Sequence, residues 1–234
     1  MQYISLVIPA KNEKESLEKT ITEILNYKFI NEVIIVVDSY KDNSIKIAQK
    51  FNTKVIVQKK KGFGSAIIEG FNHAKNKYAC IFNADYSFNP KYLKKMITKS
   101  NKYQFIFGSR YIKKASSDDD TIITFIGNKI FTFLSKQLLK IKLSDVLFTY
   151  VLCNVNNFKK LRLKNNDFRL CIELPLQVQR NNYYYTELPI KERKRFAGQK
   201  KVNELKDGFL ILLEILNFFF KIKLKNFYKS LVTT

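Results

Sequence analysis

An α/β fold, with a mostly parallel sheet covered by helices on both faces, is predicted by three observations. Strand-length runs rich in Val and Ile alternate with amphipathic helical stretches through the first half of the chain. The runs are apolar almost throughout, as strands buried on both faces must be. The length, 234 residues, fits one domain and is short for two. With 46% hydrophobic and 26% charged residues and only seven Gly and four Pro, the chain can bury a sizeable core. Disordered, collagenous and disulfide-framework classes are thereby excluded.

Strands are expected at residues 3–8, 32–37, 54–57, 78–82 and 104–108, each closed by polar turn residues. Helices are expected between them at 15–26, 44–51, 65–76 and 90–99, where apolar spacing turns one face inward. In such sheets ligands bind beyond the carboxyl ends of the strands, which directs attention to segments 9–13, 38–44, 59–64, 83–90 and 109–111. The second half reads as a long helix over 121–142, mixed segments, a strand over 183–190, a very basic loop over 191–201 and a final helix from about residue 207. No internal repeat or low-complexity linker divides the chain. The reading is a nucleotide-type α/β core with a helical C-terminal elaboration.

The formal charge of +22, from 42 basic and 20 acidic residues, calls for an anionic partner: nucleic acid, phospholipid or a phosphorylated substrate. About half of the excess is attributable to a Lys-rich background on solvated positions. Against that background the six Arg are informative, because a guanidinium offers a planar fork to phosphate oxygens. Cys80, Cys153 and Cys171 are far apart and form no CxxC pair, so neither a disulfide framework nor a zinc site is indicated, and a reducing cytosol fits. The first residues read as a strand, with no leader expected. The most apolar stretch, 208–220, is about 13 residues long and interrupted by Glu214 and Asn217, short of the roughly 20 that span a bilayer.

Three acids stand at strand ends, after the first, second and fourth expected strands: Glu13, Asp38 and Asp85. Asn83 and Asp85, at i and i+2, place two oxygen-bearing side chains toward one cation or one ribose diphosphate, and Asp supplies the hard oxygen that Mg²⁺ or Mn²⁺ prefers. Such a pair is commonly only a backbone cap, but three acids on one edge are harder to ascribe to capping. The run Lys59–Gly64 contains Lys61, Gly62 and Gly64 before a helix, where glycines let backbone N–H groups approach a phosphate; an ordinary Gly-containing loop has the same composition. The one His, His73, lies inside a helical stretch and reads as structural or surface.

The ordered set LVIPAKNE, VIIVVDS with KDNS, KKGFGSAIIEGF, CIFNADYSFNP, FGSRY, KLSDVLFTY and ERKRFAGQKKVNELKDGF resembles the family 2 glycosyltransferases, and within them the dolichyl-phosphate mannosyltransferases and related polyprenyl-phosphate glycosyltransferases. The resemblance implies a glycosyltransferase A-type, Rossmann-like three-layer sandwich over residues 1–206, with residues 207–234 a peripheral amphipathic helix and basic tail. It implies inverting transfer of a sugar from a GDP-mannose-like or UDP-sugar donor to a polyprenyl phosphate, assisted by Mg²⁺ or Mn²⁺. Carried over, Pro9, Glu13 and Asp38 match positions that hold the nucleoside, and Asp85 matches the metal-binding acid. Arg110, Arg195 and Lys201 match phosphate-binding cations, and Asp145 matches the acid after the long helix. Lys61, Gly64 and Asn83 complete the expected donor site. The chain departs from the pattern at Asn83, where the family has the first acid of its pair, at Ser39, Ser87 and Lys200, and at 121–124, where an Arg is usual.

A phosphate acceptor is already anionic at neutral pH and needs no general base, so a His-poor site is chemically acceptable. Residues 207–224 place apolar side chains ahead of Lys221, Lys223 and Lys225, as an interfacial helix on an anionic membrane surface would, although packing on the core or a partner fits the pattern equally. The expected setting is the cytosolic face of a membrane, with room for a membrane-anchored protein partner. Three other readings are a family 2 enzyme with a hydroxyl acceptor and a base at Asp145 or among Asp118–Asp120, a degenerate non-catalytic member, and a nucleic-acid binder. No nucleic-acid partner is expected, because acids at strand ends oppose one.

Overall fold

The computed structural model describes residues 2–232, with side chains through Leu224; Lys225 and the rest of the expected basic tail lie outside the described side chains. The first half runs β1 (Ile4–Ala10), α1 (Lys14–Ile24), β2 (Ile30–Val37), α2 (Ser44–Ala48), β3 (Lys54–Val57), α3 (Phe63–His73), β4 (Tyr78–Ile81), a 3₁₀ turn (Pro90–Tyr92), α4 (Leu93–Lys99) and β5 (Phe105–Ser109). The second half runs β6 (Ser116–Ser117), α5 (Ile122–Leu139), β7 (Val151–Asn154), α6 (Val155–Lys160), α7 (Leu170–Arg180), β8 (Tyr185–Pro189), β9 (Lys191–Glu192) and α8 (Glu204–Val232). Each expected strand is present to within two residues at its ends.

The main sheet has the order β3-β2-β1-β4-β7-β5-β8, and β6 and β9 form a two-stranded ribbon. All pairings in the main sheet are parallel except those of β7, which runs antiparallel between β4 and β5. Alternation along β1 feeds two cores. Leu6 and Ile8 face Leu17 and Ile21 of α1, and Val7 faces Ala66 and Ile67 of α3. The second core also takes in Ile211, Ile215 and Phe218 of α8, so the C-terminal helix packs on the sheet's own core through one stripe. The result is three layers, helices on either side of a sheet.

The chain leaves β1 for β2 and β3 on one side, then returns to β4 on the other. This reversal opens a crevice at the carboxyl ends of β1 and β4, the place where α/β sheets bind ligands. Helix α3 approaches the sheet closely there. A Cβ on Gly70 would meet Val7 Cγ1, with Val36 Cγ2 at 3.2 Å. Gly70→Ala is expected to lower stability by about 1–3 kcal/mol in urea unfolding, overpacking outweighing the better helix propensity of Ala. An unchanged midpoint would show that α3 can lift off the sheet without cost.

Candidate active site

A cavity of ≈ 850 Å³ lies at the carboxyl ends of β1, β2 and β4. Its lining includes Pro9, Glu13, Asp38, Lys61, Asn83, Asp85, Arg110, Arg195 and Lys201, nine of the ten residues expected to form the site. The three strand-end acids therefore do converge, and each holds a cation. Lys11 Nζ lies 3.0 Å from Asp38, Lys201 Nζ lies 3.2 Å from Glu13, and Arg195 Nη2 donates to Asp85 Oδ2 at 2.9 Å. Glu13 is buried, which raises its carboxyl above the usual range; the Lys201 ammonium opposes that shift, and the Asp85 charge adds to it.

Asp85 is oriented from behind. Its Oδ1 accepts from Ser87 N at 3.0 Å and Ser87 Oγ at 2.6 Å, leaving Oδ2 for Arg195. Asn83 Nδ2 donates to Ser87 Oγ at 3.2 Å. Among the described residues no group of three His, Cys, Asp or Glu side chains is placed to hold a metal. The donor set still fits a hard divalent ion of the Mg²⁺ or Mn²⁺ kind. One carboxylate oxygen is available once Arg195 releases it, and such ions take most of their oxygens from substrate phosphate and water. Arg195 also leaves its Nε buried without a hydrogen-bond partner, 3.9 Å from Asp119 Oδ2, an unmet donor of the kind an anionic oxygen satisfies.

The basic loop, residues 193–201, lies over the cavity like a strap. Phe196 N donates to the Asp85 carbonyl at 3.0 Å, Ser16 Oγ to the Ala197 carbonyl at 3.3 Å, and Gly198, at φ +78°, rests against Glu13. Arg193 anchors its start with two bonds to Glu23 at 2.8 and 3.0 Å and one to the Phe88 carbonyl at 2.6 Å. Lys200 Nζ donates to the Asp119 carbonyl at 2.9 Å.

Two expectations are corrected. Gly64 does not line the cavity: a Cβ there would strike the backbone of 165–167, and the Ser65 N–H at the start of α3 already donates to the Asn166 carbonyl at 3.0 Å. The glycines at Gly62, with φ +129°, and Gly64 admit that neighbouring stretch of backbone, and Gly62 also lines the cavity. Arg110 is likewise not a free phosphate cation. Its Nε and Nη2 fork onto buried Asp145 at 2.8 and 3.0 Å, and its Nη1 reaches Asp120 at 3.3 Å and Glu192 at 3.4 Å. Three carboxylates surround it, and it stays fully charged. His73 sits at the end of α3, its Nδ1 2.9 Å from the Glu69 carbonyl, and is absent from the cavity lining.

Sequence reasoning did not single out Glu192, Gln58 or Lys11 as site residues. Gln58 lines the cavity with its Oε1 buried and unpartnered. Lys11 stands inside the first quoted segment, and its alternation with Glu13 was the available signal. Glu192 opens the last of those segments, as the one acid ahead of its basic run.

The three-layer architecture, with acids at the strand ends under a cationic strap, is that of the glycosyltransferase A-type fold. Residues 5–162 match the model of the Glycosyl transferase family 2, and the chain belongs to that family. It is 33% identical over 122 residues to a dolichol-phosphate mannosyltransferase of Pyrococcus furiosus, covering 47% of this chain and 34% of that one. It is 25% identical to a UDP-N-acetylglucosamine–dolichyl-phosphate N-acetylglucosaminyltransferase of Methanococcus voltae, covering 91% and 94%. The chain thus spans about a third of the first relative's length and nearly all of the second's. Among solved structures it resembles the glucosyl-3-phosphoglycerate synthase of Mycobacterium tuberculosis in complex with Mn²⁺, uridine diphosphate and glucosyl-3-phosphoglycerate, with a TM-score of 0.71 and 15% identity over 92% of this chain and 79% of that one.

Burial holds the Glu192 carboxyl up to about 7, against Arg110 and Ser117, which lower it. A proton kept in the folded state contributes stability that is complete below the unfolded value near 4.5 and is lost as pH rises through about 7. The Tm of Glu192→Gln is therefore expected to fall less than that of the unmodified chain between those two values; parallel profiles would show that Glu192 titrates normally. Asp145→Ala strands the buried Arg110 charge and is expected to cost about 3–5 kcal/mol in chemical denaturation.

Proposed function

We propose that this glycosyltransferase moves a sugar from a GDP-mannose-like or UDP-sugar donor to a polyprenyl phosphate, with inversion at the anomeric carbon. The observation that carries the reading is the clustering of Asp85, Glu13 and Asp38 at the strand ends under a strap that brings Arg195 and Lys201 to the same point. The family and the two dolichyl-phosphate-dependent relatives support it.

On this reading Asp38 and Gln58 lie toward the nucleoside, and Asp85 and Asn83 toward the diphosphate. Asp85, with Asn83 beside it, would hold a divalent ion, which would supply charge neutralisation to the departing nucleoside diphosphate. Arg195, released from Asp85, turns its unmet Nε toward phosphate oxygen, and Lys201 and Lys200 offset the repulsion between two anionic substrates. An acceptor phosphate oxygen forms the new bond to the anomeric carbon as the bond to the diphosphate oxygen breaks. The acceptor oxygen carries no proton to remove, consistent with a cavity without His. The enzyme works peripherally, at the cytosolic face of a membrane.

Incubating the purified protein with GDP- and UDP-sugars, polyprenyl phosphates and Mg²⁺ or Mn²⁺ tests this directly. Label is expected in the lipid fraction and lost with a chelator. Transfer only to a water-soluble hydroxyl acceptor would favour the other family 2 chemistry, with Asp119, Asp120 or Glu192 as base. Asp85→Ala is expected to lower kcat/KM by about 10²-fold or more. Lys201→Ala is expected to raise KM for the donor about tenfold, the loss of one charge-assisted contact.

A further inference from the structure

The cavity is polar at one end only. Its far wall is built from α5 and α8, through Ile123, Gly127 and Phe131 on the first and Leu205, Gly208 and Leu212 on the second. The two helices meet where small residues allow close approach, a Cβ on Gly208 coming to 3.6 Å from Phe131. Ile123 and Leu205 belong to this wall and are also open to solvent, 68% and 88% exposed, so the cavity wall continues onto the surface.

That surface is apolar on both helices. On α5, Ile122, Ile126, Ile130 and Phe133 recur at i, i+4, i+8 and i+11, about 100° around the helix from the cavity-lining row, and every one is at least half exposed. On α8, Leu205, Phe209, Leu213, Phe220 and Leu224 form the matching exposed row, opposite the stripe that enters the core. Exposed large side chains on two packed helices make a contiguous patch of the kind that marks an interaction surface. Lys129 and Lys136 on α5 and Lys206, Lys221 and Lys223 on α8 are exposed alongside it. Among the described residues no helix is long and apolar enough to cross a membrane.

We propose that α5 and α8 together form a docking face for an anionic lipid surface, and that the cavity opens directly onto that face. Apolar side chains enter the acyl boundary, and lysines reach the headgroups at its edge. Charge argues for lipid over a second copy of the chain: two molecules at +22 each, with lysines along the patch, repel one another, whereas an anionic leaflet attracts both. The proposal rests on the polyprenyl-phosphate reading in giving the opening its purpose, since an acceptor tail enters the cavity from the bilayer without crossing water.

The test compares the full chain with Ile126→Glu/Ile130→Glu/Phe133→Glu, three exposed residues outside the cavity lining. Both are sedimented with phosphatidylcholine vesicles and with vesicles containing phosphatidylglycerol. The unmodified chain is expected to bind the anionic vesicles more tightly, and the triple variant to lose about tenfold or more of that binding. Transfer to geranyl phosphate, soluble without a bilayer, should stay unchanged while transfer to long-chain acceptor in vesicles falls. Equal vesicle binding by the two proteins would overturn the proposal. So would a dimer of the unmodified chain, seen by light scattering, that the triple variant dissolves. Failure to glycosylate either prenyl phosphate would overturn the substrate reading alone, because vesicle binding is measured without substrate.

Discussion

One buried guanidinium holds together the parts of this molecule that make a site. Arg110 follows β5, and its donors reach Asp120 just before α5, Asp145 after it, and Glu192 at the start of the strap. Its own N–H adds a further bond to Asp145 at 3.1 Å, and its guanidinium lies over the Phe148 ring at 4.6 Å. A charge at this depth is tolerated only because carboxylates surround it, and each of those carboxylates depends on it in return. The consequence is geometric. The placement of α5, the 116–120 turn and the strap cannot be altered independently, since Ser117 Oγ donates to Glu192 and Tyr111 Oη to Asp120 at 2.6 Å within the same cluster.

The cavity beside it is organised on the opposite plan, with pairs that can be exchanged. Glu13, Asp38 and Asp85 each face a lysine or arginine, and two of the three cations come from the strap. The Lys11–Asp38 pair is the most open of the three, whereas Glu13 and Asp85 are buried. On the proposed reading, an incoming diphosphate replaces carboxylate as the partner of Arg195 and Lys201, whereas the Arg110 cluster remains intact. On that reading the Arg110 cluster fixes the frame and the strap pairs respond to ligand.

The first half of the fold was legible because each strand is a short Val/Ile run with a polar stop, and the register of a parallel sheet follows from burial on both faces. The convergence of Glu13, Asp38 and Asp85 was legible for the same reason, since strand ends in a parallel sheet share an edge. The second half was less so. β7 has four residues and runs antiparallel, which no local pattern announces, and α7 carries Pro175 in its interior, a residue that ordinarily breaks a helix. The role of Arg110 could not be read because its partners Asp120, Asp145 and Glu192 lie 10, 35 and 82 residues away and meet only in the folded chain. Gly64 misled for a related reason: a glycine that admits a phosphate and one that admits another stretch of backbone look identical in sequence.

The long helix α5 shows how far apolar periodicity alone can carry. It is rich in isoleucine and phenylalanine, yet its buried residues are Thr132, Ser135 and Leu139, all in its C-terminal half. The N-terminal half stands out from the protein because Arg110 and Tyr111 hold its first turn through Asp120, at the rim of the cavity and away from the sheet. A helix with its polar end pinned by buried charge and its apolar rows turned outward has exchanged core packing for position. Between that helix and α8, the cavity passes from carboxylates and cations at the strand ends to Phe131, Ile211 and Leu212 at its far side. On the proposed reading, this gradient suits a hydrophilic donor and an acceptor with a polar phosphate and an apolar tail, and the exposed lysines of α5 and α8 lie outside the paired charges of the site.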